Sequence, residues 1–197
     1  MRIQDAQLKR FVIDSGLVPR KDIDAAEKKA KEEKSPLAET LVSSGAMTED
    51  DLRRVESYVL GVPFVSLKDK KIDFIAAPES RGFIFATPVS YLLNCGVTPI
   101  RKPGKLPAKT IEHSYELEYG SDTLCIHEDA FAGVENPQVI IIDDLLATGG
   151  SCSATIELVK KAGGTVVGAG FVIELGFLNA REKLEAQGVE VFSILNI

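Results

Sequence analysis

Tryptophan is absent, and only two methionines, two histidines and three cysteines occur in 197 residues. Each scarcity removes a class of function. Cys95, Cys125 and Cys152 are odd in number and have no metal-ligand spacing, so neither a disulfide scaffold nor a zinc site is expected, and reduced thiols in a cytosol are the simplest reading. His113 and His127 have no ligand partner nearby in sequence and read as surface residues. No apolar run approaches the about 18 residues that cross a bilayer, so no membrane partner is expected. Met1-Arg2-Ile3-Gln4-Asp5 leads into mixed charge and not an apolar h-region, which argues against a secretory signal and for a cytoplasmic protein. The pattern G-x-x-x-x-G-K-S/T is missing, which excludes a P-loop nucleotidase. Basic residues are outnumbered, 23 Lys and Arg against 29 Asp and Glu, and the net charge of -6 argues against a nucleic-acid partner. What is present, 45% hydrophobic and 26% charged residues, describes one globular domain or a domain with a small appendage.

The most informative stretch runs from Val139 to Ser151. Val139-Ile140-Ile141-Ile142 has four β-branched residues without polar alternation, as in a strand buried on both faces of a parallel sheet. Asp143 and Asp144 are expected where that strand ends. Ala147, Thr148, Gly149, Gly150 and Ser151 form a small-residue loop whose amides can close around an anion, and a helix expected from about Ser153 to Ala162 aims its N-terminus at the same point. An acidic pair beside an anion cradle points to a sugar-phosphate, with the acids accepting ribose hydroxyls or holding water around magnesium. All thirteen positions resemble the signature of type I phosphoribosyltransferases, which bind phosphoribosyl pyrophosphate.

The flanking segments extend the likeness. Ile72 to Ala77 reads as a strand, and Pro78-Glu79-Ser80-Arg81-Gly82 as a tight turn into a helix through Leu93. Exposed amides beside the Arg81 guanidinium suit a second, doubly charged anion. The turn resembles the corresponding loop of adenine phosphoribosyltransferases, which implies pyrophosphate binding by Glu79, Ser80 and Arg81. A strand ends near Ile100, and Arg101, Lys102, Lys105 and Lys109 are then strung through Pro and Gly in an exposed, mobile basic loop that can close over an anion. Ser114 to Gly120 and Asp122 to Glu128 read as a hairpin across Gly120-Ser121. Arg101 to Gly120 resembles the loop that closes during catalysis in that family, which adds Arg101, Lys102 and Lys105 to the pyrophosphate site. The same resemblance makes Glu118 and Tyr119 catalytic along with Arg81, and puts Leu175, after Val-Ile-Glu, in the wall of the base pocket. Further strands are expected over Val166 to Glu174 and Val189 to Leu195, with Arg181 to Leu184 in a helix. The fold expected is α/β, a parallel type I phosphoribosyltransferase core with a β-hairpin flap, with ligands at the carboxyl edge of the sheet. Magnesium is the implied cofactor, held indirectly by Asp143 and Asp144, and a homodimer is the implied assembly.

The first third of the chain is different. Aligning Gly16 with Gly45 places Leu8 on Leu37, Val12 on Leu41, Val18 on Met47, Asp22 on Asp51 and Ile23 on Leu52, so two similar helical hairpins are expected. In each, Gly takes the left-handed position after a first helix and a second restarts at Pro19 or Thr48, with Thr48 and Asp51 as a capping box. Lys28 to Lys34 reads as a solvated helix end. The paired units and Leu60-Gly61-Val62-Pro63-Phe64-Val65 resemble the small N-terminal domain of type II secretion and type IV pilus assembly ATPases. Some of those domains bind cyclic di-GMP through Arg-Leu-Gly at the head of each unit, where this chain has Gln7-Leu8-Lys9 and Pro36-Leu37-Ala38. A packing or protein-partner module is therefore expected over 1–67, followed by a phosphoribosyltransferase-like domain over 68–197. The block replaces the segment that forms a hood over adenine in the family. Three functions remain open: transfer of a phosphoribosyl group to adenine or a similar purine, a non-catalytic regulator that binds phosphoribosyl pyrophosphate, and an interaction protein acting through its helical module.

Overall fold

A computed structural model describes residues 3–61, 70–117 and 120–197. The chain divides into two compact units, Met1–Ser66 and Leu67–Ile197.

In the first unit the repeated pattern becomes two hairpins, α1 (Asp5–Ser15) with α2 (Arg20–Glu33) and α3 (Leu37–Ser43) with α4 (Glu49–Leu60). The breaks fall where the chain must take a positive φ: Gly16 at 66° and Gly45 at 73°. The Asp51 amide donates to Thr48 Oγ1 at 3.1 Å and the Thr48 amide to Asp51 Oδ2 at 3.3 Å, a complete capping box. Leu8, Val12, Ile23, Leu37, Leu41 and Val55 close a core of their own, each full burial contributing about 1.5–3 kcal/mol.

The second unit is built on five parallel strands in the order β2, β1, β5, β6, β7. These are β1 (Phe74–Pro78), β2 (Gly96–Ile100), β5 (Gln138–Leu146), β6 (Thr165–Glu174) and β7 (Val191–Asn196). Alternate residues of β1 and β5 face opposite sides. Ile75, Ala77 and Ile142 pack under α5 (Gly82–Leu93), whereas Ala76, Val139 and Ile141 join Ile156 and Leu158 of α6 (Gly150–Lys161). A separate antiparallel flap pairs β3 (Thr110–Leu117) with β4 (Gly120–His127), and α7 (Ala180–Glu185) precedes β7. Among the described residues no helix is long and apolar enough to cross a membrane.

Several expected boundaries move: β1 starts at Phe74 and not Ile72, β3 at Thr110 and not Ser114, and β7 at Val191 and not Val189. Helix α6 begins at Gly150 and not Ser153, because Gly149, at φ 82°, turns the chain at once and its carbonyl already accepts the Ser153 amide at 2.9 Å. Strand β5 continues to Leu146, paired with Glu174 of β6, so the two acids lie within the strand and not beyond its end. The flap reverses between Leu117 and Gly120, which pair with each other, and not across Gly120-Ser121.

Candidate active site

The site grows from the carboxyl ends of the neighbouring strands β1 and β5, where the parallel arrangement places connecting loops side by side. After β5, the small residues from Ala147 lead to Gly149, and no side chain caps α6. The first-turn amides of α6 thus keep their donors for an anion, reinforced by the helix dipole. Just upstream, Asp143 Oδ1 accepts the Asp144 amide at 2.9 Å. A Cβ at Gly82 would stand 2.9 Å from that same oxygen, so only glycine lets α5 start this close to the acid. Burial pushes the Asp143 carboxyl up to about 7, and the Asp144 charge beside it adds to the rise.

After β1, the Glu79 amide donates to the Ile100 carbonyl at 2.9 Å and the chain turns through a cis Glu79–Ser80 peptide into α5. Arg81, at this turn, donates from Nε to Asp144 Oδ2. Across the turn lies the basic segment, and its Arg101, Lys102 and Lys105 are paired too. Arg101 Nε donates to Glu79 Oε2 at 2.9 Å and Lys105 Nζ to Glu79 Oε1 at 2.7 Å. Burial alone would raise the Glu79 carboxyl, but Lys105 and Arg101 hold it below the usual carboxylate range. Lys102 Nζ donates to Asp122 on β4. The backbones of Arg101 and Cys125 exchange hydrogen bonds of 3.0 and 2.7 Å, fastening the start of the segment to the flap.

A cavity of about 310 Å³ lies between these loops, lined by Glu79, Ser80, Arg81, Lys102, Asp143, Asp144 and the whole run from Ala147 to Ser151. The structure thus brings together residues that the sequence spreads over three segments. Arg101, Lys105 and Leu175 do not line it. The first two reach it through Glu79, while the Leu175 amide donates to the Leu146 carbonyl at the end of the adjacent strand. Glu118 and Tyr119 lie outside the described residues. The sequence reading missed Tyr115, Asp122, Leu124 and Cys152 in the lining. Strand alternation was the available signal: Tyr115 shares a face with Ile111, which packs on the core, and Asp122 is its cross-strand partner. Burial drives the Cys152 thiol well above its ordinary pKa, so it is a protonated wall residue.

Histidine plays no part in this cavity. His113 Nδ1 lies 3.2 Å from Lys161 Nζ, and His127 is not a plain surface residue, since its Nε2 is enclosed without a hydrogen-bond partner among the described residues. No group of three or more His, Cys, Asp or Glu side chains converges on a metal position among the described residues. The cysteines are free. A larger groove of about 660 Å³ in the helical unit is bordered by Lys9, Arg10 and Lys31 but equally by Asp5, Asp14 and Glu27, which leaves it no preference for an anion.

A glycine-backed anion cradle and an acidic pair, with an arginine turn opposite, are the parts of a sugar-phosphate transferase site. Residues 64–195 match the family model described as the phosphoribosyl transferase domain. The adenine phosphoribosyltransferase of Desulfitobacterium hafniense is 52% identical over 129 residues, covering 66% of this chain and 72% of its own. That of Streptococcus thermophilus is 54% identical over 123 residues, 62% of this chain and 70% of its own. Among solved structures, the adenine phosphoribosyltransferase of Rhodothermus marinus superimposes with a TM-score of 0.63 at 41% identity, over 75% of this chain and 80% of that one. The Saccharomyces cerevisiae enzyme, solved with adenine and an imino-altritol bisphosphate, gives 0.59 at 35% identity over 80% and 78%. The chain belongs to the phosphoribosyltransferase family. Its core is of the adenine phosphoribosyltransferase type.

Proposed function

We propose that this chain transfers the phosphoribosyl group of phosphoribosyl pyrophosphate to adenine, giving AMP and pyrophosphate. The observation that carries this reading is the meeting, in one cavity, of the amide cradle at the start of α6, the Asp143–Asp144 pair and the Arg81 turn. Ala147 to Ser151 hold the ribose phosphate, Asp143 and Asp144 accept the ribose hydroxyls, and Ser80, Arg81 and Lys102 take the pyrophosphate. Glu79 acts there by holding Arg101 and Lys105 in place. A base nitrogen bonds to the anomeric carbon as the bond to pyrophosphate breaks, so the sugar passes through oxocarbenium character. Catalysis is then mainly orientation, charge neutralisation and exclusion of water. Glu118 manages the proton on the base and Tyr119 borders the reaction centre. Leu175 walls the base.

Two carboxylates without a third ligand among the described residues suit a magnesium ion carried in on the substrate and held through water, and the half-buried Asp143 carboxyl, whose charge Arg81 offsets only in part, fits such a neighbour. When bound, magnesium would neutralise charge on the departing pyrophosphate.

The assembly we propose is a homodimer, supported by the exposed apolar side chains Ile84, Tyr91 and Leu92 along α5. The helical unit is proposed as a module for a protein partner, its likeness being to secretion-ATPase N-terminal domains and not to their nucleotide-sensing members.

Pyrophosphate release from phosphoribosyl pyrophosphate, measured with each purine in turn, tests the central reading. Adenine should support release, and Glu118→Gln should cut it by about 10²-fold, the usual worth of one positioned proton-handling group, with binding of phosphoribosyl pyrophosphate nearly intact. Binding without transfer to any purine would make the chain a regulator.

A further inference from the structure

Asp122 is bound on three sides. Its Oδ1 accepts the Thr123 amide at 2.8 Å, and its Oδ2 accepts both the Lys102 ammonium and, at 3.3 Å, the Tyr115 hydroxyl. Tyr115 and Asp122 stand directly opposite each other on the flap. The Tyr115 ring lies against the start of α6 so closely that a Cβ at Gly150 would come within 3.3 Å of it. Lys102 follows the residue whose backbone is bonded to Cys125 of β4. One carboxylate therefore joins the flap to the basic segment, through a tyrosine that abuts the phosphate loop. Both Asp122 and Lys102 line the cavity.

We propose that Asp122, with Tyr115, is a positioning residue for the pyrophosphate half of the site: it fixes the Lys102 ammonium at the cavity wall while bracing the flap against the phosphate loop. The proposal rests on the phosphoribosyltransferase reading of this cavity. Two effects oppose each other. A carboxylate beside Lys102 weakens the field an incoming anion feels, but it also removes the rotamer freedom that a long lysine must otherwise lose on binding. Anchoring decides between them. Two further donors, the Thr123 amide and the Tyr115 hydroxyl, keep Asp122 in place when Lys102 turns to the ligand, so the carboxylate is a fixed orienting post and not a mobile competitor. Lys102 holds the Asp122 carboxyl below the ordinary range, and burial followed by the Asp122 charge pushes the Tyr115 phenol up to about 12.

The test uses the full chain and calorimetric titration with magnesium pyrophosphate and, separately, ribose 5-phosphate. Asp122→Asn should weaken pyrophosphate binding by about three- to tenfold, the range of a typical contact-pair coupling, and ribose 5-phosphate binding by no more than about twofold, since only the brace on the phosphate loop is loosened there. The loss should vanish in a Lys102→Met background and be partly rescued by Asp122→Glu. Spectrophotometric titration should show one tyrosine ionising at lower pH in Asp122→Asn, confirming in a folded protein that the phenol lost its charged neighbour. Unchanged or tighter pyrophosphate binding, or a loss that persists in Lys102→Met, overturns the proposal. Wild type that binds neither ligand would instead overturn the phosphoribosyltransferase reading itself.

Discussion

At the scale of single residues the site is arranged against the stability of its own ligand-free state. Asp143 is the clearest case, because burial favours its uncharged form and Asp144 stands next to it. With a folded pKa of about 7 against 3.8 for the free side chain, the folded chain keeps a proton that the unfolded chain has already lost. This residue's contribution to stability therefore falls as pH rises from about 4 to about 7 and is flat above. Asp143→Asn removes the penalty. Its melting temperature should exceed that of wild type at pH 8 and match it near pH 4, while affinity for phosphoribosyl pyrophosphate collapses; an equal or lower melting temperature at pH 8 would refute the assignment. Acids and glycines of this kind were legible in the sequence, because a paired Asp beside Thr-Gly-Gly has few other uses. Asp122 and Tyr115 were not, since their partner Lys102 is distant in the chain and a charge on a hairpin is ordinarily a solvated one.

At the scale of elements, what the sequence conveyed depended on the type of signal. Buried strands and repeated helices follow from hydrophobic period and were placed nearly to the residue, as with β2 ending at Ile100 and α4 starting after Thr48. The start of α6 was missed, because the left-handed turn at Gly149 opens that helix before its hydrophobic period begins, whereas the left-handed breaks at Gly16 and Gly45 stood out through the repeat. The basic segment, expected as a mobile loop, is instead tied by Arg101 and Lys105 to Glu79 and by Lys102 to Asp122. Composition announces charge but not the partner that absorbs it. Helix α5 carries a different message. It packs Phe83, Ala86 and Val89 against β1 yet leaves Ile84, Tyr91 and Leu92 exposed, so both its faces carry large apolar side chains and its outer stripe calls for cover. Light scattering should find a dimer for wild type and half that mass for the double substitution Tyr91→Glu, Leu92→Glu; a wild-type monomer would assign the stripe to something other than a second copy.

At the scale of the whole molecule, the two units keep separate accounts of burial, with Leu8, Leu41 and Val55 in one core and Ile141, Ile156 and Phe171 in another. Every residue proposed to touch phosphate or ribose belongs to the second. A chain shortened to begin at Lys68 should therefore fold and bind phosphoribosyl pyrophosphate within about threefold of the full chain, a difference under 1 kcal/mol, as read by calorimetry. A loss of binding larger than tenfold would give the helical unit a part in the phosphate site. The strand order has a consequence in time as well as space. Phe74 of β1 lies against Val139 of β5, and α5, β2, the basic segment and the flap are all threaded between them. Closing so long a loop is slow, whereas α6 forms beside the consecutive strands β5 and β6 through nearer neighbours. The amide cradle between β5 and α6 is therefore expected to form before the Arg81 turn is brought against it. Substrate added during refolding should then find the phosphate cradle first and the rest of its site only when the long loop has closed, and it stabilises most the state that has both.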